Sequence, residues 1–193
     1  MKRTPLPNSR FAVELLQKAQ CIKVVFFDID GVMTDGGLLF TETGESIKRF
    51  NTLDGLGIKL LQKAGITPVV ISGRDSAPLR TRLKALGVTH FYLNTEDKRP
   101  AAEKALAVLD LTWAQAACMG DDWPDLSVLL TSAFACAPAH AHAEVKAAAH
   151  HITEAAAGAG AVREFCDLLL MACGQYEILL EQFKGTGHKA AKI

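Results

Sequence analysis

The sequence predicts an α/β protein with a doubly wound parallel sheet sandwiched between helices. Apolar runs such as KVVFFDID and TPVVIS carry no polar face, which is typical of strands buried on both sides of a sheet. Helical patterns alternate with these runs, as in right-handed βαβ units. Hydrophobic residues make up 49% of the 193-residue chain, which is enough for one domain with its own core.

The first elements are indicated by caps and turns. Asn8 or Ser9 can cap a first helix, which we place within residues 1–20. KVVFFDID is the first strand. Turn residues at 41–45 lie between two short strand-like segments and predict a hairpin. Asp54 is expected to open the next helix.

The remaining strands are predicted at TPVVIS, VTHFYL, AACMG and AFACA, with a short one at HHIT. Helices are predicted between them, after Ser76, from Asp97, within 125–130 and over HAEVKAAA. A loop and one long final helix are expected over GAGAVREFCDLLLMACGQYEILLEQF. We therefore divide the chain into the N-terminal helix, one α/β domain over residues 21–183 and a flexible tail over 184–193.

Composition excludes several functional classes. Lys+Arg and Asp+Glu are both 21, and a net charge of zero argues against general electrostatic binding to nucleic acid. The sequence has no run of 18 apolar residues, which argues against a membrane partner. The five cysteines are odd in number and form no CxxC pair, so we expect buried thiols and a cytoplasmic protein.

Polar side chains follow the predicted strand ends. Ligands of doubly wound sheets bind beyond the carboxyl ends of the strands, so we expect these side chains to share one rim. They are Asp28 and Asp30 after the first strand, Ser72 and Arg74 after the second, Lys98 at the next helix start, and Asp121, Asp122 and Asp125 after AACMG.

Three of these carboxylates, on Asp28, Asp30 and Asp121, are expected to crowd one edge. Two like charges ~4 Å apart repel by about 4 kcal/mol at an effective dielectric near 20. Such a cluster needs a cation or must bind protons. Oxygen ligands combined with a phosphate favour Mg²⁺. The alternative, that the aspartates only cap helices and form turns, is as well supported as a functional role at Asp122.

Four motifs carry a family resemblance. FFDIDGVMTDG, VISGR, the segment around Lys98 and GDDWPD resemble the motifs of the haloacid dehalogenase superfamily of phosphohydrolases. DIDGVMTDGGL, FNTLDGLGI and GAGAVREFCDLLL resemble more closely its 3-deoxy-D-manno-octulosonate 8-phosphate (KDO 8-phosphate) phosphatases. The resemblance covers roughly residues 20–175. It implies a Rossmann-like fold with a hairpin insert and no cap domain, and Mg²⁺-dependent hydrolysis of a sugar acid phosphate in lipopolysaccharide biosynthesis.

The resemblance also implies catalytic roles. Asp28 would be the nucleophile that forms an aspartyl-phosphate. Asp30 would protonate the leaving sugar oxygen and then deprotonate the attacking water. Ser72 and Lys98 would hold the phosphoryl oxygens on which negative charge is spread.

Metal ligation is implied in the same way. Mg²⁺ would be held by the Asp28 carboxylate, the backbone carbonyl of Asp30 and the Asp121 carboxylate. Asp125 would orient the catalytic lysine, and Asp122 would act on a water of the metal's coordination shell.

The resemblance places a further set of residues around the substrate. These residues are Asp30, Asn51, Thr52, Leu53, Asp54, Gly55, Lys59, Arg74, Arg82 and Lys98. Arginine is usual in the family where this chain has Lys59. Lysine keeps the positive charge but lacks the two-pronged geometry with which arginine binds a carboxylate.

The predicted partners are a sugar acid phosphate and further copies of the chain. The intervals between Asp28, Ser72 and Lys98 leave no room for a cap domain, so a neighbouring subunit is the simplest second wall. The resemblance implies a homotetramer in which the hairpins pack together. The tail over 184–193 is either a disordered solubilising end or a lid over an adjacent active site.

Other functions remain open at this point. The main alternative is a phosphatase for a sialic acid or KDN 9-phosphate type of substrate. A catalytically silent regulatory domain of the same fold and a signalling receiver domain are alternatives from another class. Turnover of p-nitrophenyl phosphate with and without Mg²⁺ separates the enzymes from both of these.

Overall fold

The computed structural model describes residues 10–42 and 44–185 and contains a six-stranded parallel sheet. Its strands are β1 (Val24–Phe27), β4 (Thr67–Ile71), β5 (His90–Tyr92), β6 (Ala116–Met119), β7 (Phe134–Ala137) and β8 (His151–Ile152). They lie in the order β5-β4-β1-β6-β7-β8. All four residues of β1, β6 and β7 are buried, as their apolar sequences predict.

Helices cover both faces of the sheet. They are α1 (Val13–Ala19), α2 (Thr52–Lys63), α3 (Ala77–Leu86), α4 (Lys98–Leu109), α5 (Leu126–Leu129), α6 (Ala143–Ala148), α7 (Ala161–Ala172) and α8 (Tyr176–Phe183). One hydrophobic core joins the sheet to α1, α2, α3 and α7, and a second joins it to α4, α5 and α6. The predicted doubly wound sandwich is therefore confirmed. No helix in the described part of the chain has the length and apolar character needed to cross a bilayer.

A separate antiparallel hairpin follows β1. It consists of β2 (Leu39–Thr41) and β3 (Gly44–Ile47), and it is the hairpin that the turn residues predict. Leu39, Phe40 and Ile47 are exposed on it, and Phe40 is 62% exposed. Within residues 10–42 and 44–185 the chain adds no cap domain to the α/β fold.

The strand order reverses beside β1. The chain runs outward from β1 to β4 and β5, then returns to place β6 on the opposite side of β1. Crossovers that leave in opposite directions open a crevice at the carboxyl ends of the two central strands. The reversal therefore brings the residues that follow β1 and β6 to one place.

The predicted long final helix is wrong, since the structure has two helices, α7 and α8. Gly174 has φ +72°, in the left-handed region, and ends α7. The Gln175 N–H donates to the Leu170 carbonyl over 2.9 Å, which closes a Schellman turn. A glycine at this position is a stop signal that the apolar periodicity on both sides obscures.

The start of α2 also differs from the expectation. The helix begins at Thr52, and the Leu53 N–H donates over 2.7 Å to the side-chain oxygen of Asn51, which is the cap. Asp54 therefore lies in the first turn and does not open the helix. α1 begins at Val13, whereas the predicted caps Asn8 and Ser9 and residues 186–193 of the tail lie outside the described residues.

Candidate active site

Backbone hydrogen bonds continue the sheet pairing one residue beyond the strands. They fix the backbone positions of Asp28 and Ser72. The Asp28 N–H donates to the Met119 carbonyl over 3.1 Å, and the Ser72 N–H donates to the Tyr92 carbonyl over 2.9 Å. Asp28 and Ser72 therefore lie at the carboxyl edge of neighbouring strands. Their side chains project where the crevice opens.

Lys98, the first residue of α4, joins two loops of the site. Its Nζ lies 2.6 Å from Asp28 Oδ1 and 2.7 Å from Asp125 Oδ1. The residue is only 5% exposed, so the ammonium needs these partners to compensate for its lost hydration. Burial alone would lower the pKa of Lys98, but the two carboxylates outweigh it and raise that pKa. The lysine is therefore a fixed cation between Asp28 and Asp125.

A carboxylate cluster beside this lysine meets the requirements of a divalent metal site. Oxygens of Asp28, Asp121 and Asp125 all lie within 4.8 Å of one another. Asp125 is committed elsewhere, because its Oδ1 accepts from Lys98 and its Oδ2 accepts from the N–H of Asp121 and of Asp122. Asp28 and Asp121 are left as the side chains that could hold a cation.

The pKa values in this cluster also indicate that it requires a cation. Burial and the nearby Asp125 carboxylate raise the pKa of Asp28 from 3.8 to about 6. Burial and the carboxylates of Asp28 and Asp125 raise the pKa of Asp121 to about 8. Without a cation Asp121 retains its proton at neutral pH, whereas a hard divalent ion would favour the charged forms of Asp28 and Asp121. The donor set of carboxylate oxygens fits Mg²⁺.

Two glycines make room for the carboxylates. Gly31 has φ +89°, and a Cβ added there would lie 2.0 Å from Asp121 Oδ2. A Cβ added at Gly120 would lie 2.3 Å from the Asp125 Cβ. The glycine of the DIDG segment is therefore needed for the close approach of the two acidic loops, and the glycine of the GDD segment makes room for Asp125 within its own loop.

Asp30 has charged partners that the sequence analysis missed. Its Oδ1 accepts from the Lys48 ammonium and, over 3.3 Å, from the Thr34 hydroxyl. Lys48 also lies 2.9 Å from Glu45 of β3. Nothing in the linear sequence marks this pair, because the contact forms only when the hairpin folds back onto the loop after β1.

An open pocket of about 400 Å³ lies over these groups. That volume suits a small ligand. The walls combine predicted residues with others that the sequence analysis did not select, among them Thr95, Glu96 and Pro124. The lining residues are Asp28, Asp30, Ser72, Gly73, Arg74, Thr95, Glu96, Lys98 and Pro124.

The predicted substrate segment 51–55 lies apart from the walls of this pocket. Asp54 is 1% exposed, and its Oδ1 accepts from the Arg163 N–H over 2.8 Å, so it fastens α2 to α7. The Asn51 carbonyl accepts from Arg82 Nη2 over 2.9 Å. A Cβ added at Gly55 would lie 2.3 Å from the same nitrogen. In this single chain Asp54 is therefore turned into the protein.

Several other predicted site residues are also absent from the walls of the pocket. Leu53 is 54% exposed, and Thr52 beside it is also exposed at the start of α2. Lys59 lines a different groove, between α2 and α3, together with Lys84 and Gly87. Asp122 is exposed and caps the turn that leads to Asp125. In this single chain the structure does not bring Lys59 to the pocket.

Known proteins share both the sequence and the fold. No family model matches the chain. The chain is 41% identical to the KDO 8-phosphate phosphatase of Haemophilus influenzae, over 84% of this chain and 90% of that protein. It is 39% identical to the Yersinia pestis enzyme of the same name, over 86% and 89%.

A solved structure from Moraxella catarrhalis superimposes with a TM-score of 0.85 at 34% identity, covering 88% of this chain and 98% of that one. It is a KDO 8-phosphate phosphatase in complex with magnesium, phosphate and a KDO molecule. The match with each of these relatives covers more than four fifths of both chains. The chain belongs to the KDO 8-phosphate phosphatases of the haloacid dehalogenase superfamily.

Proposed function

We propose that this protein is a Mg²⁺-dependent phosphatase that hydrolyses KDO 8-phosphate to the free sugar acid and phosphate. The observation that carries the proposal is the position of Asp28, held by Lys98 at 2.6 Å and clustered with Asp121 beneath an open pocket. The ligands of the Moraxella relative support the choice of metal and of sugar acid.

Asp28 is the nucleophile in this proposal. Its carboxylate attacks phosphorus while the ester bond to the sugar oxygen breaks, which leaves an aspartyl-phosphate. Lys98 and Ser72 line the same pocket and hold the phosphoryl oxygens on which charge is spread. Asp125 keeps the lysine in place through the 2.7 Å contact.

Asp30 moves the protons. It lines the pocket two residues after the nucleophile, and it gives its proton to the departing sugar oxygen. The resulting carboxylate takes a proton from the water that attacks the aspartyl-phosphate. Free phosphate leaves, and both aspartates return to their starting forms.

Asp28, Asp121 and the Asp30 carbonyl would hold the metal. When bound, Mg²⁺ supplies charge neutralisation for the acidic cluster and for the anionic phosphoryl group. Arg74 lines the pocket with half of its side chain exposed, and we assign it to the substrate carboxylate.

We further propose that the chain acts as a homotetramer in the cytoplasm. Leu39, Phe40 and Ile47 expose apolar surface on one small hairpin, and such a patch is typical of an interface. The unpaired thiols, of which Cys118, Cys136 and Cys166 are buried, fit a reducing compartment.

A substrate panel tests the proposed function. Phosphate release should be measured from KDO 8-phosphate, from nine-carbon sugar acid 9-phosphates and from p-nitrophenyl phosphate, each with Mg²⁺ and with excess chelator. KDO 8-phosphate should give the highest kcat/KM, and the chelator should remove all turnover. A preference for a 9-phosphate, or full activity in chelator, would contradict the proposal.

A further inference from the structure

Lys48, directly after β3, is buried against the acid–base residue. Its side chain is only 1% exposed, and its ammonium contacts Asp30 Oδ1. The same ammonium lies 2.9 Å from Glu45 Oε1, on a side chain that is itself largely buried. A buried cation is tolerated only when it has polar partners, and here the Glu45 carboxylate and Oδ1 of Asp30 surround it.

The two oxygens of Asp30 consequently differ. Oδ1 is occupied by Lys48 and by the Thr34 hydroxyl. Oδ2 is buried without a hydrogen-bond partner, and Arg74 Nε lies 4.0 Å from it. Arg74 and Asp30 both line the pocket, so Oδ2 lies beside a cation of the pocket wall. A polar atom without a partner in a buried site is costly unless a ligand completes it.

We propose that Lys48 is a positioning residue for Asp30. It holds Oδ1 and so presents Oδ2 as the oxygen that transfers the proton. The inference rests on the proposed phosphatase function. As the ester O–P bond breaks and the bond from phosphorus to Asp28 forms, the proton on Oδ2 passes to the leaving oxygen. Lys48 remains a cation throughout and takes no part in the transfer.

Glu45 helps to fix the position of the Lys48 ammonium. It lies on β3 and contacts the ammonium from the side of the hairpin, whereas Asp30 contacts it from the loop after β1. Lys48 therefore couples the shape of the hairpin to the orientation of Asp30. A misplaced general acid loses rate even when every reacting group is present.

The test compares aryl phosphates that differ mainly in leaving-group basicity. Phenyl, p-chlorophenyl and p-nitrophenyl phosphate have similar shapes, but phenolate needs a proton from the acid far more than nitrophenolate does. We expect Lys48→Met to lower kcat/KM about 10-fold or more for phenyl phosphate, against less than about 3-fold for p-nitrophenyl phosphate. Lys48→Arg should retain the behaviour of the wild-type enzyme.

The matched control is Arg49→Met, which removes an exposed cation from the next position. Arg49 pairs with Asp35 and does not touch Asp30. It should leave all three rates unchanged. Far-UV circular dichroism checks the fold of each variant, and Lys48→Gln serves in place of Lys48→Met if the latter does not fold.

The outcomes separate the inference from the function on which it rests. A loss in Lys48→Met that is equal for all three esters, or no loss, would overturn the positioning role. Wild-type protein that hydrolyses neither these esters nor KDO 8-phosphate in Mg²⁺ would overturn the phosphatase function itself. A loss that grows with leaving-group basicity, together with an unaffected Arg49→Met, supports the inference.

Discussion

Asp28 shows how much of the site one residue carries. It contacts Lys98, lies in the carboxylate cluster and lines the pocket. Asp28→Asn keeps the size and shape of the side chain but removes its nucleophilic oxygen. We expect turnover of p-nitrophenyl phosphate in Mg²⁺ to fall below a thousandth of the wild-type rate, with an unchanged circular dichroism spectrum. A variant that keeps a tenth of the rate would exclude Asp28 as the nucleophile.

Asp121 leads to a pH dependence of stability in the metal-free protein. Its folded pKa is about 8, against 3.8 ordinarily, so its stabilising contribution is complete below pH 3.8 and is lost as the pH rises through about 8. A bound cation replaces the proton. In chelator, Tm should therefore fall between about pH 5 and pH 8.

Added Mg²⁺ should raise Tm more at the higher pH, where the carboxylates bind the cation without releasing protons. Thermal unfolding across a pH series in chelator and in Mg²⁺ measures both effects. Asp121→Asn is the control, because it should reduce the pH dependence and the response to Mg²⁺ together. An Mg²⁺ effect that is the same at every pH would contradict this account.

At the scale of the elements, Gly174 decides that the C-terminal segment forms two helices. Its φ of +72° disfavours side chains, while a Cβ there would meet nothing within 4 Å. Gly174→Ala should therefore lower the free energy of unfolding by about 1 kcal/mol through backbone strain alone. Gly174→Asn should lose less, because asparagine tolerates the left-handed region.

Urea unfolding monitored by circular dichroism gives both free energies for the Gly174 variants. Equal losses for alanine and asparagine would indicate that backbone strain is not the cause. A gain in stability with alanine would mean that the segment prefers one continuous helix over α7 and α8.

The prediction of individual elements depended on the local signals. Buried strands such as β1 were recognised because their apolar runs lack a polar face. Gly87, with φ +69°, ends α3, and a glycine after an apolar periodic segment is a local stop signal. The cap of α2 was misassigned to Asp54, because asparagine and aspartate cap helices equally well and only the tertiary contact with Arg163 shows which is buried.

For the whole molecule, the exposed hairpin surface predicts an assembly. Phe40→Ser combined with Ile47→Ser should convert a tetramer into smaller species, because it removes apolar area from the proposed interface. Val108→Ser, on an equally exposed valine of α4, is the matched control and should leave the mass unchanged. Light scattering after size exclusion measures the mass, and a monomeric wild-type protein would contradict the tetramer.

The sequence by itself determined the sheet, its topology class and the acidic, hydroxyl and lysine groups at the strand ends. These follow from local periodicity, from caps and from the rule that ligands lie beyond the carboxyl ends of parallel strands. Asp28, Ser72 and Lys98 could be selected on that basis because each lies at the end of a strand or the start of a helix.

The tertiary structure alone decided which charged groups meet. Lys48 reaches Asp30 only because the hairpin folds back over the β1 loop, and Lys59 lies in another groove although its position in the sequence resembles that of a ligand residue. Contacts between residues far apart in sequence depend on how the elements pack, which local propensity does not encode. The same packing partly buries Asp121 and raises its pKa, a property that no residue has by its identity alone.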